Sequence, residues 1–180
     1  MMNNKKQPNY KLATVRAHEV IDEFNINEFP VDLNNIISQI PNLKVYSYKW
    51  LSNITNYSIE KIEDMFESGS IVKNINNKYL IFYNNNDNRG RIRFTIAHEL
   101  GHYFLNHTEH NDINEKEADC FARNLLCPIS LLNLQSPFID DFIYLSNLCD
   151  ISYSAAMVRI NLMKNDVYYS NFTNTLLEIV

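Results

Sequence analysis

Two histidines stand four residues apart in the segment Phe94-Thr95-Ile96-Ala97-His98-Glu99-Leu100-Gly101-His102, with a glutamate directly after the first. On a helix, four residues turn through about 400°, so both imidazoles leave the same face. That spacing suits two ligands of one tetrahedral Zn²⁺, and a glutamate between them reaches a metal-bound water. His98 and His102 are therefore read as metal ligands, and Glu99 as the general base of a metal-assisted hydrolysis. Such a site needs a third protein ligand and an open fourth position. A metzincin would carry Gly and His at the positions of Leu105 and Thr108, so the third ligand comes from elsewhere.

The run Asn114-Glu115-Lys116-Glu117-Ala118-Asp119, after the polar turn 107–113, supplies the candidates. Glu115 and Asp119 are four apart and share a helix face with Ala122 and Leu126. Glu115 is assigned to the metal, and Asp119 to the far ring nitrogen of a ligand histidine, where it fixes the tautomer. Glu117 lies about 200° around the helix and remains the alternative ligand. With Asn114 it also spells a capping box, N-x-x-E. His107 and His110 fall among polar turn residues and read as solvated loop histidines, and His18 as a surface residue of the first helix. Tyr83 and Tyr103 are candidate electrophiles for a scissile carbonyl, between which the sequence does not choose.

Several elements must hold these residues. Apolar spacing predicts helices over 11–24, over 31–40 after Pro30, and over 58–67. Strands are expected at 43–48, 70–75 and 78–84, the last two joined at Asn76-Asn77, since Asn tolerates positive φ. The strand at 78–84 is expected to be covered on both faces and to offer an open edge to an extended substrate. Past Arg91 no strand is predicted. The fold class is therefore α+β and mainly helical, with a small sheet of about three strands beside the HExxH helix.

Composition bounds the function. The 180 residues are 46% hydrophobic and 21% charged, enough to bury a core. Three glycines exclude a glycine-rich phosphate loop, and three cysteines without a CxxC pair argue against a disulfide framework. Cys120 and Cys127 are expected to pack as small hydrophobes. No apolar stretch approaches the roughly 20 residues of a membrane span, and Met1 to Gln7 lacks an apolar signal core. A cytoplasmic protein with no membrane partner is expected. The net charge of -5 lacks the basic field of a nucleic-acid binder. Residues 141–163 have the look of helix, turn and helix, but Arg159 is the one basic residue between 129 and 163. No direct nucleic-acid partner is expected, and a DNA-binding regulator is kept as an alternative.

The run from Arg91 to Leu105, with R-x-R-F-T-x-A-H-E-x-G-H, and Glu115 to Pro128, with E-x-E-A-D-x-F-A and L-L-C-P, resembles the ImmA/IrrE family of bacterial metallopeptidases. The likeness extends to Pro30-Val31-Asp32 and to Ile151–Ala156 with Arg159. Asp119 stands where the family has Asn, and Cys127 where it has Met. The Asp brings the segment closer to the E-x-x-x-D of thermolysin-type zincins, which favours Glu115 as ligand. The resemblance implies a zincin-like metallopeptidase domain over 1–128, a helical C-terminal subdomain over 129–165 packed on it, and a tail over 166–180 with no assigned role. It also implies a Zn²⁺ endopeptidase that cleaves one helix-turn-helix repressor of a prophage, mobile element or stress operon. A zinc-binding anti-repressor that acts without cleavage is the alternative.

Overall fold

Asn9 opens the first helix by accepting the Leu12 N–H on its side chain, and Tyr10–Glu23 (α1) follows with Ala13, Ala17, Val20 and Ile21 buried along one stripe. The computed structural model describes residues 7–66, 68–132 and 137–177, with the backbone alone for Val167 and for 169–177. Asp32 caps Leu33–Ser38 (α2) through the amides of Asn34 and Asn35. Leu43–Ser47 (β1) leads straight into Tyr48–Thr55 (α3), a helix the sequence reading did not assign. It is short, rich in residues with strand preference, and set by the Ser47 cap and by Asn56 at φ 57. Ile59–Phe66 (α4), Gly69–Lys73 (β2) and Tyr79–Tyr83 (β3) complete the first half.

The strand order is β1-β3-β2, with β1 parallel and β2 antiparallel to β3. β3 is thus the central strand, and the expected open edge at 78–84 is corrected. β1 takes one side of it, Leu43 opposite Tyr79, and β2 takes the other, Gly69 opposite Tyr83. Reaching a parallel partner requires a crossover, here supplied by α3, α4 and β2, which strand patterns alone do not announce. Along β3 the faces alternate: Tyr79 and Ile81 belong to the main core, Leu80 and Phe82 to a second cluster with Tyr48, Ile62 and Phe66. Both faces are covered.

The second half is helical: Arg89–Phe104 (α5), Asp112–Leu126 (α6), a 3₁₀ turn at Ile129–Leu131, Phe142–Cys149 (α7) and Tyr153–Leu177 (α8). The fold is α+β and mainly helical, with a small mixed sheet beside the HExxH helix. The main core joins α1, α5 and α6 through residues such as Val20, Ile21, Leu100, Phe121 and Leu125. α8 packs on α1 and α6, and it continues through the stretch read as a tail. Asp166 is buried there, 2.6 Å from Arg159 Nη1 and 3.3 Å from Arg123 Nε. Among the described residues no helix is long and apolar enough to cross a membrane.

Candidate metal centre

α5 starts where Asn88 accepts the Arg91 N–H and ends in a tight reversal at Asn106. α6 is capped by Asn111, which accepts from the Ile113 and Asn114 amides. The two helices touch along Gly101 and Ala118. A Cβ on Gly101 would lie 3.0 Å from Ala118 Cα and 3.1 Å from its carbonyl oxygen. This close approach carries α6 side chains to the histidine face of α5.

His98 and His102 point their Nε2 atoms at each other across 3.0 Å. Glu115 Oε2 lies 3.1 Å from His98 Nε2, and its Oε1 3.5 Å from His102 Nε2. All three residues place a ligand atom within 4.8 Å of one another. Bonds of about 2.0–2.2 Å at the tetrahedral angle separate donor atoms by roughly 3.3–3.6 Å, so the set needs only a few tenths of an ångström to accept a Zn²⁺. Asp119 Oδ1 is 2.9 Å from His98 Nδ1. With that nitrogen donating to the carboxylate, His98 Nε2 is left with a free lone pair directed at His102, an arrangement that suits a metal and no direct hydrogen bond. The donor set fits the ion.

Burial and charge act in opposite senses here. Burial, then the neighbouring His98 charge, pull His102 down to about 4, which leaves it neutral. Burial also disfavours the His98 imidazolium, but the Asp119 hydrogen bond and the charges of Glu99, Asp119 and Glu115 outweigh it and raise His98. Glu99 is pushed up to about 7, chiefly by burial. Its Oε2 has no hydrogen-bond partner among the described residues. A divalent cation beside it would favour the ionised form.

The edge strand β2 crosses directly above α5. A Cβ on Gly69 would collide with Thr95 Cγ2 and reach within 3.5 Å of Glu99 Oε1. The Ile71 backbone amide, also from β2, favours ionised Glu99. Sequence reasoning passed over Gly69, because the expected strand at 70–75 began one residue after it, whereas β2 spans Gly69–Lys73. Ser68, Gly69 and Ser70 line a cleft of about 720 Å³ together with His98, Glu99 and Glu115. A second hollow, about 850 Å³, lies between α5, α6 and α8 and shares Arg91, Phe94 and Asp119 with the first.

Other expectations fare differently. His110 is 67% exposed in side chain, at the cleft mouth 3.5 Å from Glu115 Oε1. His107 is no solvated loop residue: its side chain is only 7% exposed and contacts His102. Glu117 is no cap partner of Asn114, because the cap is Asn111; its side chain is 12% exposed and faces His107. His18 is half-buried, with Nε2 shielded from solvent, and burial lowers its pKa. Tyr103 donates to Asn42 and packs on Tyr79, away from the cleft. Neither Tyr103 nor Tyr83 lines it. Arg159 is fully buried and ion-paired, so it offers no charge to a phosphate backbone. Cys120, Cys127 and Cys149 are free and buried.

A helix carrying HExxH, packed under an edge strand and against a second helix that brings a carboxylate to the two histidines, is the arrangement of a zincin-type metallopeptidase. Residues 58–161 match the family model of the peptidase M78 group, described as the IrrE N-terminal-like domain, and the chain belongs to that metallopeptidase family. No curated protein matches the chain in sequence.

Proposed function

We propose that this protein is a zinc-dependent endopeptidase with His98, His102 and Glu115 as metal ligands and Glu99 as general base. The observation that carries this reading is the convergence of three ligand atoms beside a buried carboxylate whose Oε2 has no partner among the described residues. When bound, Zn²⁺ polarises the scissile carbonyl and lowers the pKa of a coordinated water towards about 7. Ionised Glu99 takes a proton from the attacking water and delivers it to the leaving amine. β2 is an edge strand, the side of the sheet on which an extended peptide pairs, and its Ile71 amide is the group already engaged by Glu99.

The substrate is a protein, cleaved at one site, and the best candidate is a helix-turn-helix repressor of a mobile element or stress operon in the cytoplasm. The family and the peptide-sized cleft support a protein substrate. So does the exposed apolar surface of Phe142, Ile143, Tyr153 and Met157 on α7 and early α8. The test uses the purified chain and the product of the neighbouring gene where that gene encodes a helix-turn-helix protein. About one Zn²⁺ per chain, lost on His98→Ala, together with repressor cleavage abolished by Glu99→Gln, is the expected result. A Glu99→Gln protein that inactivates the repressor as well as the wild type does would show that binding without cleavage is the function.

A further inference from the structure

The end of α5 holds a geometry that local sequence alone does not reveal. Leu105 closes the helix, Asn106 takes the left-handed conformation at φ 55, and His107 follows. The Asn106 amide donates to the Tyr103 carbonyl at 3.2 Å and the His107 amide to the His102 carbonyl at 3.0 Å. These are the two bonds of a Schellman motif, in which the second residue past the cap folds back onto the residue three before the end of the helix. Those two positions usually share an apolar contact. Here they are His107 and His102, and their Nδ1 atoms stand 3.0 Å apart.

From His107 the contacts run on to Glu117 and out to Asn9. His107 Nε2 lies 3.1 Å from Glu117 Oε2, and Glu117 Oε1 accepts the Asn9 backbone N–H at 2.6 Å, just before α1. One assignment of protons satisfies every member. His102 Nδ1–H donates to His107 Nδ1, His107 Nε2–H donates to the Glu117 carboxylate, and the Asn9 N–H donates to its other oxygen. That assignment leaves His102 Nε2 without a proton and aimed at His98 Nε2 and Glu115.

We infer that His107 and Glu117 are positioning residues for His102: the chain Glu117–His107–His102 fixes the ring orientation and tautomer of this ligand, as Asp119 does for His98. The inference rests on the metal-site reading above. It also explains the two carboxylates of Glu115-Lys116-Glu117. One turns to the metal side of α5, and the other turns under the helix end to hold the ligand from behind.

Zinc affinity, measured by competition with a chromophoric chelator, tests this without any substrate. His107→Phe keeps a ring and removes both polar atoms, and its Kd for Zn²⁺ should rise by about 10–100-fold, as is usual when the partner of a ligand histidine is removed. His107→Gln offers an acceptor and a donor about as far apart as the ring nitrogens, and it should recover most of that loss. The d–d absorption of the Co²⁺-substituted protein should shift in His107→Phe and return towards wild type in His107→Gln. A purely structural role would lower the melting temperature of the metal-free protein and leave the Kd and the Co²⁺ spectrum unchanged. That result, or a His107→Gln protein no better than His107→Phe, overturns the inference. If His107→Phe does not fold, Glu117→Leu reads the same link, because it removes the acceptor of the His107 Nε2–H outright. Its Kd should rise by about tenfold, and an unchanged value is equally decisive against the relay. A wild-type chain that binds no zinc defeats the metal reading itself, before any variant is compared.

Discussion

Glu115 and Asp119 stand one helical turn apart and face the same histidine, yet they do different things. Glu115 is close to both Nε2 atoms, whereas Asp119 touches only Nδ1 of His98. Glu115→Ala should therefore abolish tight zinc binding, while Asp119→Ala should weaken it by about 10–100-fold, both read by chelator competition. Equal losses would contradict the division of labour. Glu99 offers a test in the metal-free state. Burial raises its pKa from 4.5 to about 7. A carboxyl raised in the folded state contributes stability that is intact below its unfolded pKa and lost as pH climbs through about 7. The loss levels off at about 3 kcal/mol. Glu99→Gln carries no such penalty, so in urea denaturation the metal-free variant should gain on the wild type between pH 5 and pH 8. Parallel stability profiles would show that water already reaches the carboxylate.

At the scale of elements, one glycine sets the distance between the two helices that carry the candidate ligands. Gly101 lets α5 and α6 approach until a Cβ would press on Ala118 backbone atoms at 3.0 and 3.1 Å. Backbone cannot step aside as a side-chain end can, so Gly101→Ala must push the helices apart. Overpacking of this kind costs about 1–3 kcal/mol, and the same movement draws Glu115 away from His102. Lower urea midpoint and weaker zinc binding should appear together; normal zinc affinity would mean the helices slide without separating. The HExxH spacing and the Glu115 to Asp119 spacing were legible because both are intrahelical and follow from 3.6 residues per turn. The identity of the edge strand was not. Strand patterns show which residues can pair, but β1 reaches β3 only through a crossover that buries two further helices.

For the molecule as a whole, the helices after Cys127 are tied to the half that carries the candidate metal site by buried charge. Arg159 Nε donates to the Cys127 carbonyl at 2.9 Å, and its Nη1 pairs with Asp166 at 2.6 Å. Arg93 of α5 donates to the carbonyls of Val31 and Asp150, joining the approach to α2, the HExxH helix and the α7–α8 turn. Asp166→Ala would strand the Arg159 guanidinium in the core, and breaking a buried pair by removing one partner costs about 3–5 kcal/mol. Chemical denaturation should show that loss as one cooperative transition. A loss confined to α8, with α5 and α6 still protected in hydrogen exchange, would mean that the C-terminal helices fold as a separate unit.

The sequence by itself determined most of the helices (α3 excepted), the three strands, the mainly helical class and the histidine pair, because each depends on contacts within a few residues. It also placed Glu115 and Asp119 on one face before any packing was known. Tertiary structure alone decided that β3 is central, that β2 passes over Glu99, and that Asp166 belongs to the core. It likewise brought His107, read as a loop residue, against His102, and Glu117, read as a cap, against His107. Those outcomes depend on groups far apart in the chain, such as the Asn9 amide and the Glu117 carboxylate. No local periodicity records which buried polar atom will meet which; that is settled only when every donor taken from water has to find an acceptor.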